Sequence, residues 1–247
     1  MKVAVHKNTK CIVTGGSQGL GLAIAERLVA KGCQNIILAA RDSEKGHRAA
    51  EILTNQGASV YFQKTDLSDT QSVFSMVDFA ENKMGEVNAL VNAGAITERG
   101  SILNTTEEEW DRFIATNARG PFFAIQSLAK RAIKAGYRAN IVNILTMSSH
   151  CGQTFLAGYS ASKATLSNIT KNAALTLRGY KIRVNGINVG WMDTPGEDKI
   201  QKKWHGAKDD WLKEAEKSQP FGQLIKPEEV AGLVSYLLSD LSGVITG

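Results

Sequence analysis

With 247 residues, 43% hydrophobic and 21% charged, the chain has the length and composition of an ordinary soluble globular domain, and length alone does not demand a second one. The net charge of +5 comes with 29 basic residues dispersed without a dense run, which argues against a nucleic-acid partner. No apolar run approaches the roughly 20 residues of a membrane span, residues 1–10 lack a signal-peptide core, and Cys11, Cys33 and Cys151 share no metal-ligand spacing. A cytoplasmic location with no membrane partner, no disulfide framework and no metal site is therefore expected.

Short apolar runs alternate with amphipathic stretches along the chain, the pattern of βαβ units around a parallel sheet. Strands are predicted at Cys11–Thr14, Ile36–Ala40, Ser59–Gln63, Ala89–Asn92, Ile141–Leu145 and Arg183–Val189. After the first, Leu20, Ala23, Ile24 and Leu28 recur at helical spacing before Gly32, a residue suited to ending a helix. Ser68 to Gln71 and Thr105 to Glu108 read as capping boxes that open the next helices. A long polar and aromatic insertion runs from Trp191 to Ile225, and Pro227 opens a final helix. No repeat or linker divides the chain. The expected fold is a single doubly wound α/β domain of Rossmann type over residues 1–247, a parallel sheet with helices on both faces.

Such sheets bind ligands beyond the carboxyl ends of their strands, so the residues just after each strand carry most information. Thr14, Gly15, Gly16, Ser17, Gln18, Gly19, Leu20 and Gly21 lie between the first strand and the first helix. Glycines there let the backbone approach a diphosphate, and the helix N-terminus stabilises its charge. The second strand ends in Ala39, Ala40, Arg41 and Asp42. Ala40 stands where an acid would accept the ribose hydroxyls of NAD(H), whereas Arg41 can pair with a 2′-phosphate, so NADP(H) is preferred and NAD(H) remains possible. Tyr159 and Lys163 are one helical turn apart, which puts both on one face. An ammonium beside the phenol is expected to lower its pKa and make it an acid–base catalyst.

Together these motifs resemble the short-chain dehydrogenase/reductase family. Thr14 to Gly21 is similar to the family's T-G-x-x-x-G-x-G, Asn92-Ala93-Gly94 to its N-A-G, Tyr159 to Lys163 to its Y-x-x-x-K, and Gly190 to Thr194 to its P-G-x-x-x-T. The resemblance implies that Tyr159 exchanges a proton with the substrate oxygen and that Lys163 holds the nicotinamide ribose. It implies that Asn117 supports a water-linked proton path to Lys163. Asp66 resembles the family's adenine contact, with an N-terminal cap as the alternative. Thr194 resembles its carboxamide contact, with a helix cap as the alternative. Asn92 is expected to steady the backbone on the cofactor side, and a homodimer or homotetramer is implied through the helices around Asn117 and Lys163.

Thr146 lies at the position, thirteen residues before Tyr159, where the family usually has serine; it keeps the hydroxyl donor but adds a methyl beside the substrate. Ser148 and Ser149 are nearby alternatives. Val189 replaces the usual proline, and Ile245-Thr246-Gly247 resembles the lead-in to a last strand that is missing from the chain. Residues 191–225, with Trp191, Trp204, His205 and Trp211, are the expected substrate lid, although those aromatics could equally pack the lid on itself. The expected function is hydride transfer between NADP(H) and a secondary alcohol or ketone. An NAD-dependent enzyme and a nucleotide-sensing protein with weak catalysis are the alternatives.

Overall fold

Six strands carry the apolar runs, and the computed structural model, which describes residues 4–247, arranges them as one parallel sheet in the order β3-β2-β1-β4-β5-β6. They are β1 Lys10–Thr14, β2 Asn35–Ala40, β3 Ser59–Lys64, β4 Ala89–Asn92, β5 Ala139–Thr146 and β6 Ile182–Val189. The central strands read as near-continuous apolar runs because both faces of the sheet are covered. From β1 the chain winds outward to β2 and β3, then returns to build β4, β5 and β6 on the other side, so the strand order reverses between β1 and β4. A crevice opens above that reversal.

One face is covered by α1 (Gly19–Ala30), α2 (Ser43–Thr54) and α9 (Pro227–Leu238), where Ile24 and Leu28 pack in one apolar cluster with Val230 and Val234. The other carries α3 (Thr70–Met84), α5 (Gly120–Ala135) and α6 (Ala157–Leu177), with Met76, Val77, Leu128 and Leu177 against Ile12 and Leu90. Leu28 and Leu128 are fully buried, so truncating either to alanine would cost about 2–5 kcal/mol. Between α3 and α5 lie α4 (Glu107–Ile114) and a π-helical turn at Ala115–Arg119. The insertion folds as α7 (Pro195–His205) and α8 (Trp211–Lys217), its two ends joined by a bridge between Met192 and Ile225.

Both N-caps fall one residue later than expected, and only the second is a capping box. Asp69, not Ser68, caps α3 by accepting from the Gln71 N–H, because the Ser68 hydroxyl donates to Asp66 instead. Thr106 and Glu109, not Thr105 and Glu108, form the box of α4, while the Thr105 hydroxyl donates to the Ser101 carbonyl. At the outer edge of β6, Val184 N–H donates to Thr246 Oγ1 at 3.0 Å and Gly247 N–H to Val184 O at 2.9 Å, so residues 245–247 run along the edge without forming a seventh strand.

Candidate active site

A cavity of about 1160 Å³ runs over the carboxyl ends of the strands, from Arg41 and Asp66 at one end to Thr146, Tyr159 and the α7 segment at the other. Gly15, Ser17, Gln18, Gly19, Leu20 and Gly21 line its middle. Gly15 has φ +69°, and a Cβ there would lie 2.8 Å from Gly94 Cα and N. A Cβ on Gly21 would lie 2.3 Å from the Gly15 carbonyl oxygen. The turn is thus packed backbone against backbone, which brings its N–H groups to the cavity wall. No side chain caps the N-terminus of α1 and no acid sits in its first turn, so the positive end of that helix is left for an anion. These features fit a dinucleotide diphosphate.

At the β2 end, Arg41 is exposed and lines the cavity. Asp42 caps α2 through the Lys45 N–H and pairs with Lys45 Nζ at 3.4 Å. Lys45, which sequence reasoning passed over, also lines the cavity and donates from Nζ to Gln18 Oε1 at 3.2 Å. Two cations therefore flank the position beyond Ala40. Asp66 lines the same end but caps no helix; its carboxylate accepts from the Ser68 hydroxyl at 2.7 Å and the Ser68 N–H at 2.9 Å. Those hydrogen bonds, with Arg41 adding attraction, hold its pKa below the ordinary aspartate value.

Thr146 ends β5, and Tyr159 and Lys163 rise from the first two turns of α6, so all three meet at the cavity floor. Thr146 acts on Tyr159 to lower its pKa and accepts from the Ser148 N–H at 3.2 Å. Of its two neighbours, Ser148 lines the cavity while Ser149 turns away to donate to the Thr146 carbonyl. Lys163 is almost wholly buried, and its Nζ donates to the Ile144 carbonyl at 2.8 Å. Burial lowers its pKa from 10.5 to about 8. The expected lowering of Tyr159 by Lys163 does not hold: burial raises the phenol above its usual value, only partly opposed by Thr146. Desolvation is the largest cause, and among the nearby charges Glu197 raises the phenol while Arg99 lowers it.

Asn117 and Asn92 lie behind the cavity wall. Asn117 sits in the π turn with its Oδ1 accepting from the Ile96 N–H and its Nδ2 donating to the Ile96 carbonyl and Ser162 Oγ. Its side chain thus ties the loop after β4 to α6. Asn92 donates to Asn143 Oδ1 at 2.8 Å inside the sheet, in keeping with a backbone-steadying place. Gly94, Gly190 and Thr194 line the cavity, and Thr194 also caps α7 through the Glu197 N–H, the structural alternative for that residue.

Above the floor, Arg99 meets two side chains of α7 far from it in sequence, Glu197 and His205. Arg99 donates from Nη2 to Glu197 Oε1 at 3.3 Å and from Nε to His205 Nε2 at 3.1 Å, with its guanidinium over the Phe155 ring. Trp191 Nε1 and Gln201 Nε2 donate to the same Glu197 oxygen at 2.9 and 2.7 Å. Trp191 stacks on Trp211, which is buried and bonded to Asp198, whereas Trp204 is half exposed beneath Lys203. Two of the insertion's tryptophans thus pack its own scaffold, and of these Trp191 also faces the cavity. Only the position of Arg99, just past the fourth strand, could have flagged this cluster in the sequence.

A doubly wound sheet with a glycine-lined crevice at its switch point defines a nucleotide-binding α/β protein. The family model described as enoyl-(acyl carrier protein) reductase matches residues 15–247. An NADP-dependent (R)-specific alcohol dehydrogenase of Lentilactobacillus kefiri is 31% identical over 98% of this chain and 93% of its own length. The 3-oxoacyl-[acyl-carrier-protein] reductase FabG of Chlamydia pneumoniae is 30% identical over 96% of this chain and 92% of its own length. The crystal structure of a single-substitution variant of actinorhodin polyketide ketoreductase with NADPH superposes with a TM-score of 0.90 at 26% identity, covering 98% of this chain and 95% of that one. The chain belongs to the short-chain dehydrogenase/reductase family of oxidoreductases, whose members named here act on alcohols and ketones.

Proposed function

We propose that this protein is an NADP(H)-dependent oxidoreductase that interconverts a secondary alcohol and its ketone. The observation that carries the reading is the single cavity that joins the Arg41 and Lys45 cations, the glycine turn and the half-buried Tyr159. NADP(H), when bound, supplies or accepts the hydride. Arg41 and Lys45 hold the 2′-phosphate, the Gly15–Gly21 turn and the α1 N-terminus hold the diphosphate, and Asp66 faces the adenine. Lys163 holds the nicotinamide ribose, and Thr194 and Gly190 border the nicotinamide. Thr146 donates to the substrate oxygen, and Tyr159 gives that oxygen its proton during reduction or removes it during oxidation. Residues 191–225 form the lid that excludes water. The NADP-dependent relative and the NADPH-bound neighbour support the cofactor choice.

Half-exposed Trp110 on α4 and Phe122 on α5 support association of this chain with itself through that side, which light scattering would test. Tyr159→Phe is the direct test of the chemistry. Turnover with NADPH should fall roughly 100- to 10,000-fold while NADPH binding stays within a few-fold of the parent. Equal turnover in the variant would remove Tyr159 from the reaction, and cofactor binding without turnover of any alcohol or ketone by the parent would favour a nucleotide sensor.

A further inference from the structure

The Arg99–Glu197–His205 cluster stands at the substrate end of the cavity, and the inference drawn from it rests on the oxidoreductase reading above. All three side chains line the substrate end of the cavity, and Arg99 and Glu197 lie close enough to Tyr159 to bear on its proton affinity with opposite sign. The Arg99 and Glu197 side chains retain only 10% and 15% of their exposure, so the ion pair is largely desolvated. Its charges offset each other, so Arg99 is not a free cation for a carboxylate or phosphate. An anionic substrate would instead meet the Glu197 carboxylate.

The hydrogen-bonding directions are equally definite. Glu197 Oε1 takes the donors of Arg99, Trp191 and Gln201, and no donor among the described residues reaches Oε2. Arginine keeps its Nε proton at any working pH, so His205 Nε2, 3.1 Å away, must accept it, and the imidazole proton resides on Nδ1. That N–H has no acceptor among the described residues. An acceptor on Glu197 and a donor on His205 are therefore left on neighbouring side chains. A hydroxyl both donates and accepts, a carboxylate only accepts, and an ammonium only donates. Ser148 adds a further hydroxyl, and Trp191 and Phe155 add ring faces that suit the C–H side of a carbohydrate.

We propose that the Glu197–His205 end of the cavity is a hydroxyl-recognition subsite, and that the substrates are neutral polyhydroxylated ketones and polyols rather than keto acids or plain ketones. The test compares kcat/KM with NADPH for three four-carbon ketones: erythrulose, butanone and acetoacetate. Erythrulose should be preferred over each of the others by about tenfold or more, and Glu197→Gln should reduce the erythrulose-to-butanone ratio by about 10- to 100-fold, the loss of a hydrogen bond to a charged acceptor. The same variant leaves Arg99 uncompensated, so its acetoacetate-to-erythrulose ratio should rise.

A wild-type preference for acetoacetate or butanone overturns the proposal. So does an equal loss on all three ketones in Glu197→Gln, which would make the cluster a tie between α7 and the loop after β4 and nothing more. If no ketone is turned over although NADP(H) binds, the oxidoreductase reading fails first. Calorimetry of erythritol and butyrate binding to the protein–NADP+ complex then decides the subsite alone: erythritol binding that Glu197→Gln weakens supports it, and no erythritol binding, or none that the variant changes, overturns it.

Discussion

Replacing Lys163 by methionine should abolish turnover and yet leave the fold as stable as the parent or more so at neutral pH. The ammonium is enclosed at the foot of α6 with one hydrogen bond, to the Ile144 carbonyl, and burial moves its pKa from 10.5 to about 8. The unfolded chain holds the same proton with ordinary affinity, so at neutral pH the folded protein carries this charge at a penalty of about 3 kcal/mol. Methionine has similar length and no charge; its cost is the lost hydrogen bond and an unpaired carbonyl, together about 2 kcal/mol. The more decisive quantity is the pH dependence. Because the folded pKa lies below the unfolded one, the unfolded state binds more protons between about pH 8 and 10.5, and parent stability rises through that window as the penalty is relieved. By about pH 9.5 the penalty falls to about 1 kcal/mol, so the variant's advantage over the parent should shrink by about 2 kcal/mol between pH 7 and that point. Paired urea unfolding curves of parent and variant at the two pH values measure this, with groups common to both proteins cancelling. A stability difference that is the same at both pH values refutes the claim that burial governs Lys163.

Two further outcomes follow from the same cavity. Thr146→Val removes the hydroxyl beside Tyr159 and should lower kcat roughly 100- to 1,000-fold, whereas Thr146→Ser should retain activity within a few-fold and accept bulkier ketones; steady-state kinetics on a ketone series checks both. Arg41→Ala combined with Lys45→Ala should weaken NADPH binding about 10- to 100-fold with little effect on NADH, measured by cofactor fluorescence, and equal losses for the two cofactors would contradict the 2′-phosphate assignment.

The sheet was legible because its strands are buried on both faces, so Cys11–Thr14, Ile36–Ala40 and Ala89–Asn92 read as apolar runs without any need to know their neighbours. The glycine turn was legible because its function is local: strand, turn and helix are contiguous in the chain. The caps slipped by one residue because Ser68 and Thr105 each had a competing local acceptor, in Asp66 and Ser101, that side-chain type alone does not reveal. The Arg99–Glu197 pair joins residues 98 positions apart, and nothing in either neighbourhood specifies the other. The direction of the Tyr159 pKa was misread for a related reason. The spacing of Tyr159 and Lys163 places an ammonium near a phenol, but the sign depends on how much water both have lost, which is a property of the whole packed site.

That burial has a directional consequence for the reaction. With its pKa raised, Tyr159 keeps its proton through the neutral range, the state that carbonyl reduction needs. Alcohol oxidation needs the opposite state, a phenolate able to take the substrate proton, and its fraction grows with every increment of pH. The nearby charges do not relieve this, since Arg99 favours the phenolate while Glu197 opposes it. Oxidative kcat/KM should therefore climb across about pH 7 to 9 without levelling, while reductive kcat/KM stays flat until Lys163 begins to lose its proton near pH 8. Initial-rate pH profiles in both directions measure it. An oxidative profile already flat at neutral pH would mean that Tyr159 ionises far more readily in the working complex than its burial allows, and the electrostatic account of the cavity floor would have to be rebuilt around Lys163.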